Sequence, residues 1–302
     1  MKYLVVLLWP AGIVVIFGVA LWLVRRDPRN VAATVAAGGP QPHAQAENHG
    51  VPTAGFFESQ WVTRAAEVLI LIAIGAAVVF GVMALLGLLV VHHGLVIDRP
   101  IYNWMIQHRV HSWGAVMKRL TKIGDTWTTW GAACAAAVCL AVTWRTKRWL
   151  PPVVFAAAIV VDHFTTLALR HTFHRLGPPD SPLGTYPSGG CDRVVFFYGL
   201  IAYLLWRAFS GRRTTAIWAG AAVAALGFNE AYSRIYLTLH WFTDALSGLL
   251  YGGLLLVVFI TAIRMVAGPA GVGEGDGGER QVAAPMWWRR TAVTTGPSGP
   301  AS

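Results

Sequence analysis

Ala66-Glu-Val-Leu-Ile-Leu-Ile-Ala-Ile-Gly-Ala-Ala-Val-Val-Phe-Gly-Val-Met-Ala-Leu-Leu-Gly-Leu-Leu-Val-Val91 carries one charge, Glu67, and no proline. About 20 apolar residues in a helix cross the hydrocarbon layer of a bilayer. A helix satisfies all its own backbone hydrogen bonds, as a membrane interior demands. This run therefore predicts a membrane-spanning helix and, with others like it, an all-α bundle.

The rest of the chain repeats the pattern. Of 302 residues, 55% are hydrophobic and only 13% charged, and the mean hydropathy is +0.53. A soluble domain carries roughly 25% charged residues. The expected spans are Tyr3–Val24, Ala66–Val91, Thr126–Trp144, Pro151–Leu169, Val194–Ala208, Thr215–Tyr232 and Trp241–Ile263. The first is too long for a signal-peptide core and no small-residue cleavage site follows it. The expectation is a polytopic membrane helical bundle: a six-span core plus one extra N-terminal span. Its divisions are an anchor (1–26), a flexible linker (27–65), the core (66–265) and a disordered tail (266–302). The segment Ile97–Asp125 reads as an amphipathic helix lying at the interface.

The net charge of +10 is the excess that cytoplasmic loops of membrane proteins collect. Nothing resembles a nucleic-acid module, so no nucleic-acid partner is expected. Placing the basic groups Arg25–Arg29, Arg145–Arg148 and Arg212-Arg213 and the tail inside gives a consistent seven-span alternation. That orientation brings three polar stretches to one non-cytoplasmic face of the plasma membrane. Cys134, Cys139 and Cys191 form neither a disulfide framework nor a zinc site.

The stretches are Arg170-His-Thr-Phe-His174-Arg175-Leu-Gly177-Pro178, then Tyr186-Pro-Ser188-Gly189-Gly190-Cys191-Asp192-Arg193, then Ser233-Arg234-Ile-Tyr-Leu-Thr-Leu-His240-Trp-Phe-Thr-Asp244. Polar groups beside membrane segments usually mark function. His240 and Asp244 are four apart; on a helix they share a face, where the carboxylate would hold the imidazole in one tautomer. Glu230 precedes Arg234 by the same spacing, which suggests an ion pair. Asp162-His163 lies inside the fourth expected span as a packing pair or a proton path.

Together the stretches resemble the type 2 phosphatidic acid phosphatase superfamily of membrane lipid phosphatases, whose motifs are Lys-x6-Arg-Pro, Pro-Ser-Gly-His and Ser-Arg-x5-His-x3-Asp. The third motif matches at Ser233, Arg234, His240 and Asp244. The resemblance implies His240 as the nucleophile that forms a phosphohistidine, Asp244 as its orienting group, and no metal or cofactor. Phosphate contacts would come from Arg170, Arg175, Ser188, Gly189, Arg193 and Arg234. The implied substrate is a lipid phosphate or pyrophosphate, polyprenyl or phosphatidic-acid-like.

The first two motifs depart from the pattern. Arg170 stands for the lysine, Gly177 for the arginine before proline, and Gly190 for the histidine that protonates the leaving alkoxide. Such proton transfer contributes about 10²–10⁴-fold. A pyrophosphate leaving group needs it less than an alkoxide does. Arg193 could enter the space left by Gly177, and His171, His174 or Asp192 could serve as acid. Two other readings stand beside the hydrolase: a lapsed relative that binds or moves a lipid phosphate, and a phosphotransferase.

Overall fold

The computed structural model describes residues 15–16, 54–144, 147–179, 185–209 and 211–267. Of the expected Tyr3–Val24 anchor only residues 15–16 are described, and the tail beyond residue 267 lies outside the described residues.

Helix α1 (Ala54–His93) begins well before the expected Ala66. Its first turns follow Pro52 and contain no proline, so nothing stops the helix from starting there. The C-terminal part of the expected 27–65 linker is therefore helical. Gly94 separates α1 from α2 (Leu95–His108). The single interfacial helix expected over Ile97–Asp125 is instead four short pieces. After α2 come a 3₁₀ turn (His111–Trp113), α3 (Gly114–Leu120) and a second 3₁₀ turn (Thr121–Gly124). The break falls at Arg109–Val110, where the backbone is extended. The Tyr236 hydroxyl pins it, donating to the Val110 carbonyl at 2.7 Å and accepting from the Val110 N–H at 2.9 Å.

Next are α4 (Thr126–Thr143) and α5 (Leu150–Phe173). Pro151 and Pro152 sit in the first turn of α5, where a missing N–H leaves no bond unmade. The helix ends on His174 at φ 43°, a left-handed terminus. Then α6 (Gly189–Arg193) runs through a π turn (Val194–Tyr198) into α7 (Gly199–Phe209). The last two helices are α8 (Arg213–Tyr236) and α9 (Phe242–Ala267).

Among the described residues, Val62–His93, Thr126–Thr143, Leu150–Phe173 and Phe242–Met265 are long and apolar enough to cross a membrane. The fifth and sixth expected spans correspond to α6–α7 and α8. The first of these is interrupted by the π turn. The second carries Asn229, Glu230, Ser233 and Arg234 near its end.

Helix α1 packs against α9 and α5, and α4 packs against α5. Val68, Ile72, Val79 and Met83 of α1 meet Val154, Phe155, Phe196, Leu255 and Phe259 in one core. The opposite faces are equally apolar: Ile70, Ile74, Val78, Leu85, Val138, Val160 and Val257 are exposed. Cys134 and Cys139 share that exposed character, whereas Cys191 is buried. Helices that are apolar all round belong in lipid.

Candidate functional site

The three polar stretches meet at one end of the bundle. The C-termini of α5 and α8, the N-termini of α6 and α9, and the turn before α4 all lie there. Helix alternation explains this directly, because each polar stretch sits at a reversal of the chain.

The third stretch is only partly helical. Ser233 and Arg234 close α8, but α9 starts at Phe242. His240 therefore precedes the helix that carries Asp244, and the four-residue spacing does not put them on one face. The Nδ1 of His240 lies 3.2 Å from the Thr185 carbonyl, and its Nε2 lies 3.3 Å from Nη1 of Arg234. A carbonyl only accepts and a guanidinium only donates. Nδ1 must therefore carry the proton and Nε2 the free lone pair. The orienting role expected of Asp244 falls to the Thr185 backbone.

Asp244 has other partners. Its Oδ1 accepts a hydrogen bond from Nη1 of Arg175, and its backbone carbonyl accepts from the Ser188 N–H at 3.1 Å. Arg175 also reaches Asp98 at 2.6 Å and the Thr243 hydroxyl at 3.0 Å. This corrects the assignment of Arg175 as a phosphate ligand: its guanidinium is buried between two carboxylates. Ser188 is corrected too. Its N–H is bonded to Asp244 and its hydroxyl donates to Sγ of Cys191 at 3.3 Å, so it offers no free anion donor. Burial pushes the Cys191 thiol up to about 12, which makes it inert.

The other predicted arginines do converge. A Cβ on Gly189 would lie 2.6 Å from Nη2 of Arg170 and 3.0 Å from Nη1 of Arg193. A Cβ on Gly190 would lie 2.1 Å from Nη2 and 2.3 Å from Cζ of Arg234. The paired glycines thus let three guanidiniums close over one turn of backbone. Arg234 is held by Nε donating to Oε1 of Glu230 at 2.5 Å, the ion pair expected from their spacing, with Asp125 at 3.8 Å. Thr121 donates to the same Glu230 oxygen at 3.0 Å. The Nε of Arg193 donates to the Gly124 carbonyl at 3.3 Å. His171, in the last turn of α5, and His174, at its C-terminal cap, are exposed.

The cradle sets the state of His240. Loss of surrounding water and the charges of Arg234 and Arg170 push its pKa down to about 3, against a smaller opposing effect of the Thr185 carbonyl. The imidazole is neutral at physiological pH, with a lone pair facing cations. That arrangement can attack a bound anion's phosphorus.

Residues 169–266, which hold all three stretches, match the model of the PAP2 superfamily. That part of the chain is similar to the superfamily. The chain is also similar to a solved structure, the first transmembrane PAP2-type phosphatidylglycerolphosphate phosphatase from Bacillus subtilis. The similarity has a TM-score of 0.55 at 19% identity, over 62% of this chain and 94% of that one. No curated protein matches the chain. The likeness shows the fold, a helical membrane bundle.

Sequence reasoning missed Asp98, Thr185 and Thr243. Asp98 had a signal: it is a carboxylate, followed by Arg99, directly after the apolar Leu95-Val96-Ile97, in a chain with only 14 acidic residues. The other two contribute through backbone groups and a hydroxyl, which leave no sequence trace.

Proposed function

We propose that this protein removes phosphate from a lipid phosphate or pyrophosphate, with the site on the non-cytoplasmic face of the plasma membrane. The observation that carries the reading is His240: a neutral imidazole whose Nε2 faces the Arg234 guanidinium beside Arg170 and Arg193. In the proposed reaction Nε2 attacks phosphorus and the bond to the leaving oxygen breaks. Water then cleaves the phosphohistidine, releasing inorganic phosphate. The three arginines neutralise charge that develops on the phosphoryl oxygens.

Arg234 shapes the choice of substrate. Its guanidinium occupies the volume beside Gly190, where the family's general acid stands. A guanidinium does not give up a proton. A leaving group of low basicity is therefore favoured, which means lipid pyrophosphates ahead of phosphomonoesters. The same observation supports a second reading, a relative that binds lipid phosphate without turning it over.

Phosphate release from a polyprenyl pyrophosphate and from a phosphatidate, assayed in detergent, separates these readings. The hydrolase reading expects release from the pyrophosphate to exceed release from the monoester. Binding of both lipids with no release above that of His240→Ala points to the second reading.

Gly190→Ala gives a sharper expectation. The new Cβ pushes Arg234 away from His240. Losing one preorganised donor costs about 10²–10³-fold in kcat. The displaced atoms include Nε, which donates to the buried Glu230, so the thermal midpoint should fall as well and is measured beside turnover. Unchanged turnover in this variant would remove Arg234 from the site.

A further inference from the structure

Below the arginines lies a second polar layer that the proposed chemistry does not use. Asp192 of α6 is fully buried and Asp162 of α5 is 1% exposed. Thr166, one turn after Asp162 on the same face, donates to Oδ2 of Asp192 at 3.4 Å. Each aspartate has one carboxylate oxygen, Oδ1, without a hydrogen-bond partner among the described residues. Arg193, Arg170 and the adjacent His163 act on Asp162; the His163 ring is exposed and packs edge-on against Trp130.

The surroundings of Asp192 are defined on every side. From α5 come Asp162, Thr166 and Arg170; from its own helix, Arg193; from α9, the buried Tyr251. Glu230 and Arg234 of α8 act on the neighbouring Cys191. Helix α9 seals the layer, since a Cβ on Gly252 would lie 2.3 Å from the Asp192 carbonyl oxygen.

We propose that Asp162 and Asp192 form a proton-binding pair, and that an anion entering the arginine cradle draws one proton from solvent onto it. The proposal rests on the reading of Arg170, Arg193 and Arg234 as a phosphate cradle. Two carboxylates buried in one layer cannot both stay ionised unless cations offset them. Arg170 and Arg193 supply that offset while the cradle is empty. A bound dianion neutralises the guanidiniums, and the pair then holds a proton more tightly. Burial, followed by the charge of Asp162, already raises Asp192 well above the ordinary carboxylate range, against the pull of Arg193 and Arg170. The linkage is reciprocal: if the anion increases proton affinity, the proton increases anion affinity.

Sulfate is a suitable probe because it stays a dianion across the working range. Titration calorimetry of the detergent-purified protein near pH 7, in two buffers of different ionisation enthalpy, counts protons taken up on binding. The expected result is uptake approaching one proton per sulfate, with affinity weakening by up to about tenfold per pH unit as pH rises. Asp192→Asn and Asp162→Asn, both close in shape to the originals, should bind sulfate with little uptake. His240→Ala should keep the uptake. Binding without uptake in the wild type overturns the coupling and leaves the cradle standing. Uptake lost in His240→Ala but retained in both asparagine variants assigns the proton to the imidazole and overturns the pair. No sulfate binding at all overturns the cradle and the coupling together.

Discussion

His240→Ala should lower phosphate release from the preferred lipid by on the order of 10⁴-fold or more, the scale seen when a covalent nucleophile is removed. Its effect on stability should be small. The ring is only partly buried and makes two hydrogen bonds, to Thr185 and Arg234; each contributes about 1 kcal/mol. Parallel measurement of phosphate release and thermal midpoint distinguishes a chemical loss from unfolding. A sharper readout is rescue: free imidazole should restore part of the turnover of His240→Gly, because it can occupy the vacated space and present the same lone pair. The pH profile adds a second check. His240 is held down to about 3, so the neutral, attacking form predominates throughout pH 5–8. A histidine of ordinary pKa, about 6.5, would lose activity as pH fell through that value. The acid limb of kcat/KM should therefore not fall near 6.5. Equal activity of wild type and His240→Ala on every lipid tested would end the nucleophile assignment.

What the sequence disclosed depended on how local each interaction was. The runs beginning at Ala66 and Trp241 declared themselves as helices because one apolar stretch suffices for that inference. Glu230 and Arg234 were legible as a pair because both lie inside α8, where a spacing of four has a fixed meaning. His240 and Asp244 have the same spacing, but α9 begins between them. Helix start signals place boundaries only to within a few residues, and here two residues decided which group orients the nucleophile. Arg175 was misread for a different reason. Its partners Asp98 and Asp244 are 77 and 69 positions away, and no pattern in the chain announces such pairings. Gly190 shows a third limit. In the sequence it is a missing histidine; in the fold its absent side chain is the space that Arg234 fills.

The second large effect concerns stability and begins at Arg175. This guanidinium bridges Asp98 and Asp244, with side-chain exposures of 5% for the arginine and 0% for both carboxylates. Oδ1 of Asp98 also accepts the Thr243 N–H at 2.9 Å, and Oδ2 accepts the Thr243 hydroxyl at 2.7 Å. Thr243 lies in the first turn of α9, whose leading N–H groups have no partner within the helix. A carboxylate from α2 thus closes the N-terminus of α9, and an arginine from the first polar stretch holds the two together. Arg175→Ala leaves two buried carboxylates without a counter-charge. Breaking a buried pair in this way costs about 3–5 kcal/mol. Asp98→Ala should fall in the same range, since it strands the guanidinium and uncaps α9. The double variant should cost clearly less than the two single costs added, because each change removes the group that the other leaves stranded. Thermal unfolding of the four proteins in one detergent measures this cycle. Strict additivity, or an Arg175→Ala variant within about 1 kcal/mol of wild type, would show that the bridge does not hold the site together. With the bridge in place, turnover should also track the fold, because α9 and the His240 turn leading into it are positioned by the same three side chains.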